Sequence, residues 1–241
     1  MYSYKEIFES KQSAVFITAH PDDCLVYFAA LINKLRLEDK KVYVVVVTNG
    51  ARGSKDKIIS EDALAKLRIE EEIKALEYLK VSKKNVICLE YKDGEVESDM
   101  KLIGKVSYYI RKFKADIVAT HEPGLIYEST YDNTGFFVQH RDHRKVGEAV
   151  IDAVYPFARD RSFFSDHVKE GIEPRTIYDV LLTDEKGSNF HFEYTEDMEK
   201  KKSAMRIHKS QFDENFINDV VNDMKEGDKY FEKFKYLKLL W

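Results

Sequence analysis

Short runs of β-branched and aliphatic residues alternate along the chain with longer stretches whose apolar residues recur at helical spacing. The pattern predicts a strand at 14–19, a helix over 25–39 and a strand at 42–48. The last of these, Val-Tyr-Val-Val-Val-Val-Thr, has the continuous apolar character of a strand buried on both faces of a parallel sheet. A long helix over 60–79 follows, with Ser60 as its cap, then a strand at 86–89, a helix over 102–113 and a strand at 117–120. Residues 121–139 contain Pro123, Gly124, Asn133 and Gly135 and read as a long loop. A helix over 143–157 and a late strand over 176–182 come next, and from Glu196 the pattern is helical to the end. This alternation implies a doubly wound parallel sheet with helices on both faces. In such sheets ligands sit outside the carboxyl ends of the strands. No repeat, low-complexity segment or linker interrupts the pattern, so a single domain over 1–241 is expected.

Composition narrows the function classes. The apolar fraction of 44% can fill a sizeable core, and the net charge of −4 lacks the basic excess of a nucleic-acid binder. The one dense basic run, Lys200 to Lys202, follows Glu196, Asp197 and Glu199 and reads as a solvated helix face. Cys24 and Cys88 are far apart and cannot build a disulfide framework or a cysteine zinc knuckle. The N-terminal residues lack the apolar core of a signal peptide, and no apolar stretch approaches the ~18 residues of a membrane span. A cytoplasmic protein without nucleic-acid or membrane partners is expected, with homo-oligomer formation left open.

The chemistry is concentrated at two places. Residues 18–24 read Thr-Ala-His-Pro-Asp-Asp-Cys, directly after the first strand, and residues 140–145 read His-Arg-Asp-His-Arg-Lys at the mouth of a helix. Asp22 or Asp23 as a mere helix cap would explain the first. Four of the seven histidines, His20, His121, His140 and His143, fall just after predicted strands or at that helix start, which points to a metal site. His140-Arg141-Asp142 spells a protein-kinase tripeptide, but no Gly-rich loop, Val-Ala-Ile-Lys or Asp-Phe-Gly accompanies it. A two-histidine, one-carboxylate iron site has no need of the paired aspartates. A dinucleotide site would want glycines where Pro21, Asp22 and Asp23 stand. Hydrolysis fits best: three ligands hold a zinc with an open position for water, and a second carboxylate moves the proton. One aspartate to bind and one to work accounts for the pair.

The combination Ala19-His20-Pro21-Asp22-Asp23 with His140-Arg141-Asp142-His143 resembles the PIG-L / LmbE-like zinc-dependent N-deacetylases. The likeness continues through Thr48-Asn49-Gly50, Arg68-Ile69-Glu70-Glu71, Asp93-Gly94, His208-Lys209-Ser210-Gln211 and Tyr230 to Phe234. Among the branches, the archaeal chitin-disaccharide deacetylases are most similar. The resemblance implies a Rossmann-like three-layer α/β/α sandwich with a mostly parallel sheet. It implies zinc held by His20, Asp23 and His143, Asp22 as general base and His140 stabilising the transition state. Arg68 and Asp93 would contact sugar hydroxyls; a salt bridge from Arg68 to Glu71 or Glu72, and a plain turn role for Asp93, are the simpler readings. His208 and Gln211 are expected to be structural support.

Two departures stand out. Arg141 replaces the proline of the family's His-Pro-Asp-His, and the segment 129–139 is extra. Its Tyr131, Phe136 and Phe137 suit a lid with aromatic faces for a sugar, or a surface packed on a neighbouring subunit. The expected function is a zinc amidohydrolase that removes acetyl from an N-acetylglucosamine-type sugar or a small conjugate. A deacylase of a non-sugar amide and a non-catalytic sugar-binding relative are the alternatives, and the intact Asp22 argues against the latter.

Overall fold

The computed structural model describes residues 1–53, 59–129, 135–184 and 186–241. In chain order the first elements are α1 (Tyr4–Phe8), β1 (Ser13–Thr18), α2 (Asp23–Tyr27), α3 (Ala29–Leu37), β2 (Lys41–Thr48), α4 (Glu61–Tyr78), β3 (Val86–Tyr91) and α5 (Met100–Lys112). The middle of the chain supplies β4 (Ile117–His121), β5 (Tyr127–Ser129), β6 (Phe136–Val138), α6 (Arg141–Asp152) and α7 (Ser165–Lys169). The last are β7 (Asp179–Thr183), β8 (Phe190–Glu193), α8 (Met198–Met205), α9 (Glu214–Asp223), β9 (Lys225–Glu226) and β10 (Lys229–Lys238).

Five strands run parallel in the order β3-β2-β1-β4-β7, and β10 and β8 extend the sheet antiparallel beyond β7. The period-2 alternation of each strand sends its side chains to two separate cores. Phe16, Val44 and Ala119 pack under α2, α3, α4 and α8, while Val15, Ile17, Val45 and Val118 pack under α5 and α6. Both faces are therefore covered, as the unbroken valine run of β2 requires. Ser60 caps α4 by accepting the Ala63 N–H, and Asp99 caps α5 in the same way. Among the described residues, no helix is long and apolar enough to cross a membrane.

Four expectations are corrected. The helix over 25–39 is broken at Phe28 into α2 and α3, because the Glu232 carboxylate accepts the N–H groups of Ala30 and Leu31, both at 2.9 Å, and starts a new helix there. The long loop contains the antiparallel β5–β6 hairpin. The C-terminal stretch is helical only to Asp223; Lys229–Lys238 is a strand whose Glu232, Phe234 and Tyr236 alternate inward. β8 was not anticipated.

The basic run is the fourth correction. Lys201 is buried, donating to Val26 O at 2.6 Å and to Glu232 Oε1 at 2.7 Å. Burial pulls its ammonium down from the usual lysine range, and Glu232 opposes that. The pair thus ties α8 and β10 to the α2–α3 break. Breaking a buried pair on one side strands a charge. Lys201→Met is expected to destabilise the fold by about 3–5 kcal/mol, measured by chemical denaturation, with an undiminished midpoint counting against this clamp.

Candidate functional site

The strand order reverses between β1 and β4, the switch point at which open α/β sheets form a crevice. β1 delivers His20, Asp22 and Asp23 to it, and β4 delivers His121. The first turn folds back on itself because the His20 N–H donates to Asp23 Oδ2 at 2.7 Å.

Three predicted ligands meet here. His20 Nδ1 and His143 Nε2 are 3.2 Å apart, and Asp23 Oδ1 lies 3.1 Å from His143 Nε2. The other edge of each ring faces an acceptor oxygen. His143 Nδ1 donates to Gln139 Oε1 at 3.2 Å, and His20 Nε2 faces Asp93 Oδ1 at 3.3 Å and Asp142 Oδ2 at 3.4 Å. Two imidazole nitrogens and a carboxylate oxygen thus lie within 4.8 Å of one another, a donor set that fits a metal.

His20 also belongs to a second group, with Asp93, His140 and Asp142. Those acids are already engaged: Asp142 accepts the N–H groups of Gly94 and Val96, and Asp93 accepts that of Arg52. Their role is to orient His20. Burial alone would lower the His20 imidazole, but Asp142, Asp23 and Asp93 together raise it well above its ordinary value. For Asp23, burial would raise the carboxyl, yet His143 and His121 hold it well below the usual range.

Asp22 sits at the cap position of α2 but makes no capping hydrogen bond, which rules out the bland reading of that residue. Its φ of 139° is rare for a residue with a Cβ, and such strain typically costs on the order of 1–3 kcal/mol. Its side chain instead accepts from Arg68 Nη2 at 2.8 Å. Burial raises the Asp22 carboxyl above the ordinary range, and Arg68 opposes the rise.

Arg68 does not pair with Glu71 or Glu72. It donates to Gly50 O at 2.7 Å and Pro21 O at 2.9 Å as well as to Asp22. A Cβ at Gly53 would collide with Arg68 Nη1, so that glycine makes room for the guanidinium. Asp93 is buried and bonded, more than a turn residue. Both still line the open cleft of 380 Å³ with Asp22, Asp23, His140 and Gln211. His140 caps α6, its Nδ1 accepting the Asp142 N–H at 3.1 Å. Arg141 substitutes for a proline by tying that helix start to Val96 O and Glu97.

A family model described as PIG-L, GlcNAc-PI de-N-acetylase, matches residues 15–154. A diacetylchitobiose deacetylase of Thermococcus kodakarensis is 30% identical over 88% of this chain and 75% of its own length. The chain belongs to the PIG-L family. The structure of N,N'-diacetylchitobiose deacetylase from Pyrococcus horikoshii, complexed with an inhibitor, superposes with a TM-score of 0.86 at 27% identity, over 97% of this chain and 86% of that one. A 4-carboxy-2-hydroxymuconate hydratase from Pseudomonas putida shares the fold alone, with a TM-score of 0.73 at 15% identity over 95% of this chain and 98% of that one. PIG-L deacetylases are metal-dependent, and the convergent donors give this member a place for the ion.

Several residues of this PIG-L site lay beyond the sequence assignments. His121, whose position after β4 was noted without a role, stacks on the His143 ring at 4.0 Å and lies 3.2 Å from Asp23 Oδ2. Burial first, then His143, lowers its pKa to about 4, so it is a neutral wall. Gln139 precedes His143 by four residues, a spacing that could have flagged it. His208, expected as structural support, is fully buried 3.1 Å from Glu71, and the Glu71 carboxylate holds the 208–211 segment by accepting from Ser210. Tyr131 lies outside the described residues.

The two aspartates should separate by metal content. Asp23→Asn is expected to hold substoichiometric zinc after loading and dialysis, since an amide is a weaker, uncharged ligand. Asp22→Asn is expected to stay near one equivalent by elemental analysis. The reverse pattern would reassign the pair.

Proposed function

We propose that the chain is a zinc-dependent N-deacetylase that hydrolyses the acetamide of an N-acetylglucosamine-type sugar, releasing acetate and a free amine. The observation that carries this reading is the Asp22 carboxylate in the cleft beside three convergent metal donors, held by Arg68 and used neither as a cap nor as a ligand. Membership of PIG-L and the diacetylchitobiose deacetylases among its relatives support the substrate class.

His20, Asp23 and His143 would hold the zinc, which when bound would supply Lewis acidity to the amide carbonyl and to a water. Asp22 accepts the proton lost by the attacking water and returns it to the leaving nitrogen. Its raised carboxyl pKa, set by burial against the pull of Arg68, moves it toward the range where a base can also act as an acid. His140 accepts a backbone N–H at Nδ1, so its Nε2 carries a proton to donate to the developing oxyanion. Burial, then His20, lowers the His140 pKa and keeps the ring neutral. Gln139, Asp93 and Asp142 hold the two ligand rings through the turnover. Arg68 is placed to position Asp22 while presenting the edge of its guanidinium to the cleft.

Acetate release from a panel of N-acetylated sugars and non-sugar amides tests the reading. Release confined to non-sugar amides would move the substrate class. Asp22→Asn is expected to lower kcat by on the order of 10² to 10⁴ with little change in KM, and with zinc content and melting temperature near wild type. An active Asp22→Asn enzyme would leave the mechanism without its base.

A further inference from the structure

A cavity of 360 Å³ lies between β3, the outermost of the parallel strands, and the helices α5 and α7. It shares no lining residue with the catalytic cleft, and its volume is in the range of small-molecule sites. Residues 100–115, most of them in α5, carry five basic side chains and no acid, in a chain whose net charge is −4. Lys101, Lys105, Tyr108 and Lys112 follow one another at steps of four, three and four, so they form one stripe along the helix.

The fold does not neutralise these cations. Among the described residues no carboxylate pairs with Lys101, Lys105 or Lys112; the ammonium of Lys105 lies 4.9 Å from the centre of the Tyr91 ring, and that of Lys112 lies 5.2 Å from that of Tyr108. Arg111 is buried and donates to the carbonyls of Phe157, Ala158, Asp160 and Phe163 rather than to an acid. Its Nη1 stands 3.4 Å from His167 Nδ1. A guanidinium only donates, so Nδ1 accepts and the imidazole proton sits on Nε2. Burial, then Arg111, lowers the His167 pKa and favours that neutral ring. Phe164 and Tyr108 flank the ring at 5.3 and 5.2 Å and fix its plane. Lys105, Tyr108, Tyr109 and His167 thus bring donors to the cavity, and Glu170 is the acid that lines it with them.

We propose that this cavity is a binding site for a sugar phosphate, with Lys105 and His167 donating to the phosphate and Glu170 accepting hydroxyls of the sugar. A phosphate monoester carries nearly two negative charges at neutral pH and three strong acceptor oxygens, which answers an uncompensated ammonium beside a neutral imidazole N–H. The tyrosine hydroxyls can serve either part of such a ligand, since each both donates and accepts. A bare anion would leave Glu170 facing a like charge with nothing to accept, and a long polyanion would add to that repulsion. The site is separate from the amide chemistry, and its ligand is bound without being hydrolysed.

Titration calorimetry of the zinc-loaded protein with glucose 6-phosphate, inorganic phosphate and glucose tests the assignment. One glucose 6-phosphate should bind per chain, more weakly as salt is raised, with inorganic phosphate weaker and glucose silent. Lys105→Met keeps the length of the side chain and removes its charge; it should weaken the ester by on the order of 10- to 100-fold, with melting temperature and zinc content near wild type. Glu170→Ala should erase the advantage of the ester over inorganic phosphate. Lys74→Met, which removes a surface lysine paired with Glu70 on α4, should change neither. Absence of ester binding would overturn the site. So would an affinity unchanged in Lys105→Met, the result expected of phosphate held at the zinc, or one weakened equally by Lys74→Met. Inorganic phosphate binding as tightly as the ester, or an ester advantage that survives Glu170→Ala, would overturn the sugar phosphate as its ligand.

Discussion

The structure turns on a cluster of charges taken out of water at the carboxyl ends of β1 and β4. His20, Asp23, Arg68, Glu71, Glu72, Asp93, His121, Asp142 and His208 are all buried there. An isolated ion in such a place costs several kcal/mol, so the cluster is tolerated only because its members answer one another. Each answer fixes a segment. Arg68 docks α4 against the turn after β1, Asp142 draws the Gly94 loop to α6, and Glu71 holds the 208–211 segment. Glu72 is answered least: neither carboxylate oxygen has a hydrogen-bond partner, and burial, then Asp22 and Asp23, push its carboxyl well above the ordinary range. Those surroundings favour its neutral form.

The same constraint explains why the two adjacent aspartates behave differently. Asp23 is surrounded by imidazoles that favour its charged form, whereas Asp22 has one guanidinium set against its burial. Two neighbouring carboxyls are thus driven in opposite directions by surroundings supplied from α4, β4 and α6. A fold that also carries a hydratase does not dictate this division; the residues that surround the pair do. Hydrolysis follows from the site, and the sheet supplies only the edge on which it is built.

Much of this was legible along the chain. The valine run of β2, the Ser60 cap and the two histidine motifs are short-range signals; the first two form as the pattern has them, and the motifs' His20, Asp23 and His143 come together in space. Other features carry no local signature. Lys201 looked like one of three solvated lysines because its partner, Glu232, is 31 residues away, and the strand holding Glu232 has enough charge to read as a helix face. The break at Phe28 has the same distant cause.

What the sequence by itself determined is the five parallel strands, β1, β2, β3, β4 and β7, and the identity of the chemical groups, since periodicity and motif spacing are properties of neighbouring residues. Tertiary structure alone decided what each group faces. Arg68 reaches Asp22 across 46 residues of chain, His20 reaches His143 across 123, and Ser210 reaches Glu71 across 139. Protonation, orientation and access depend on those distant neighbours. No local pattern contains them, because they come into being only when the sheet brings its carboxyl ends together.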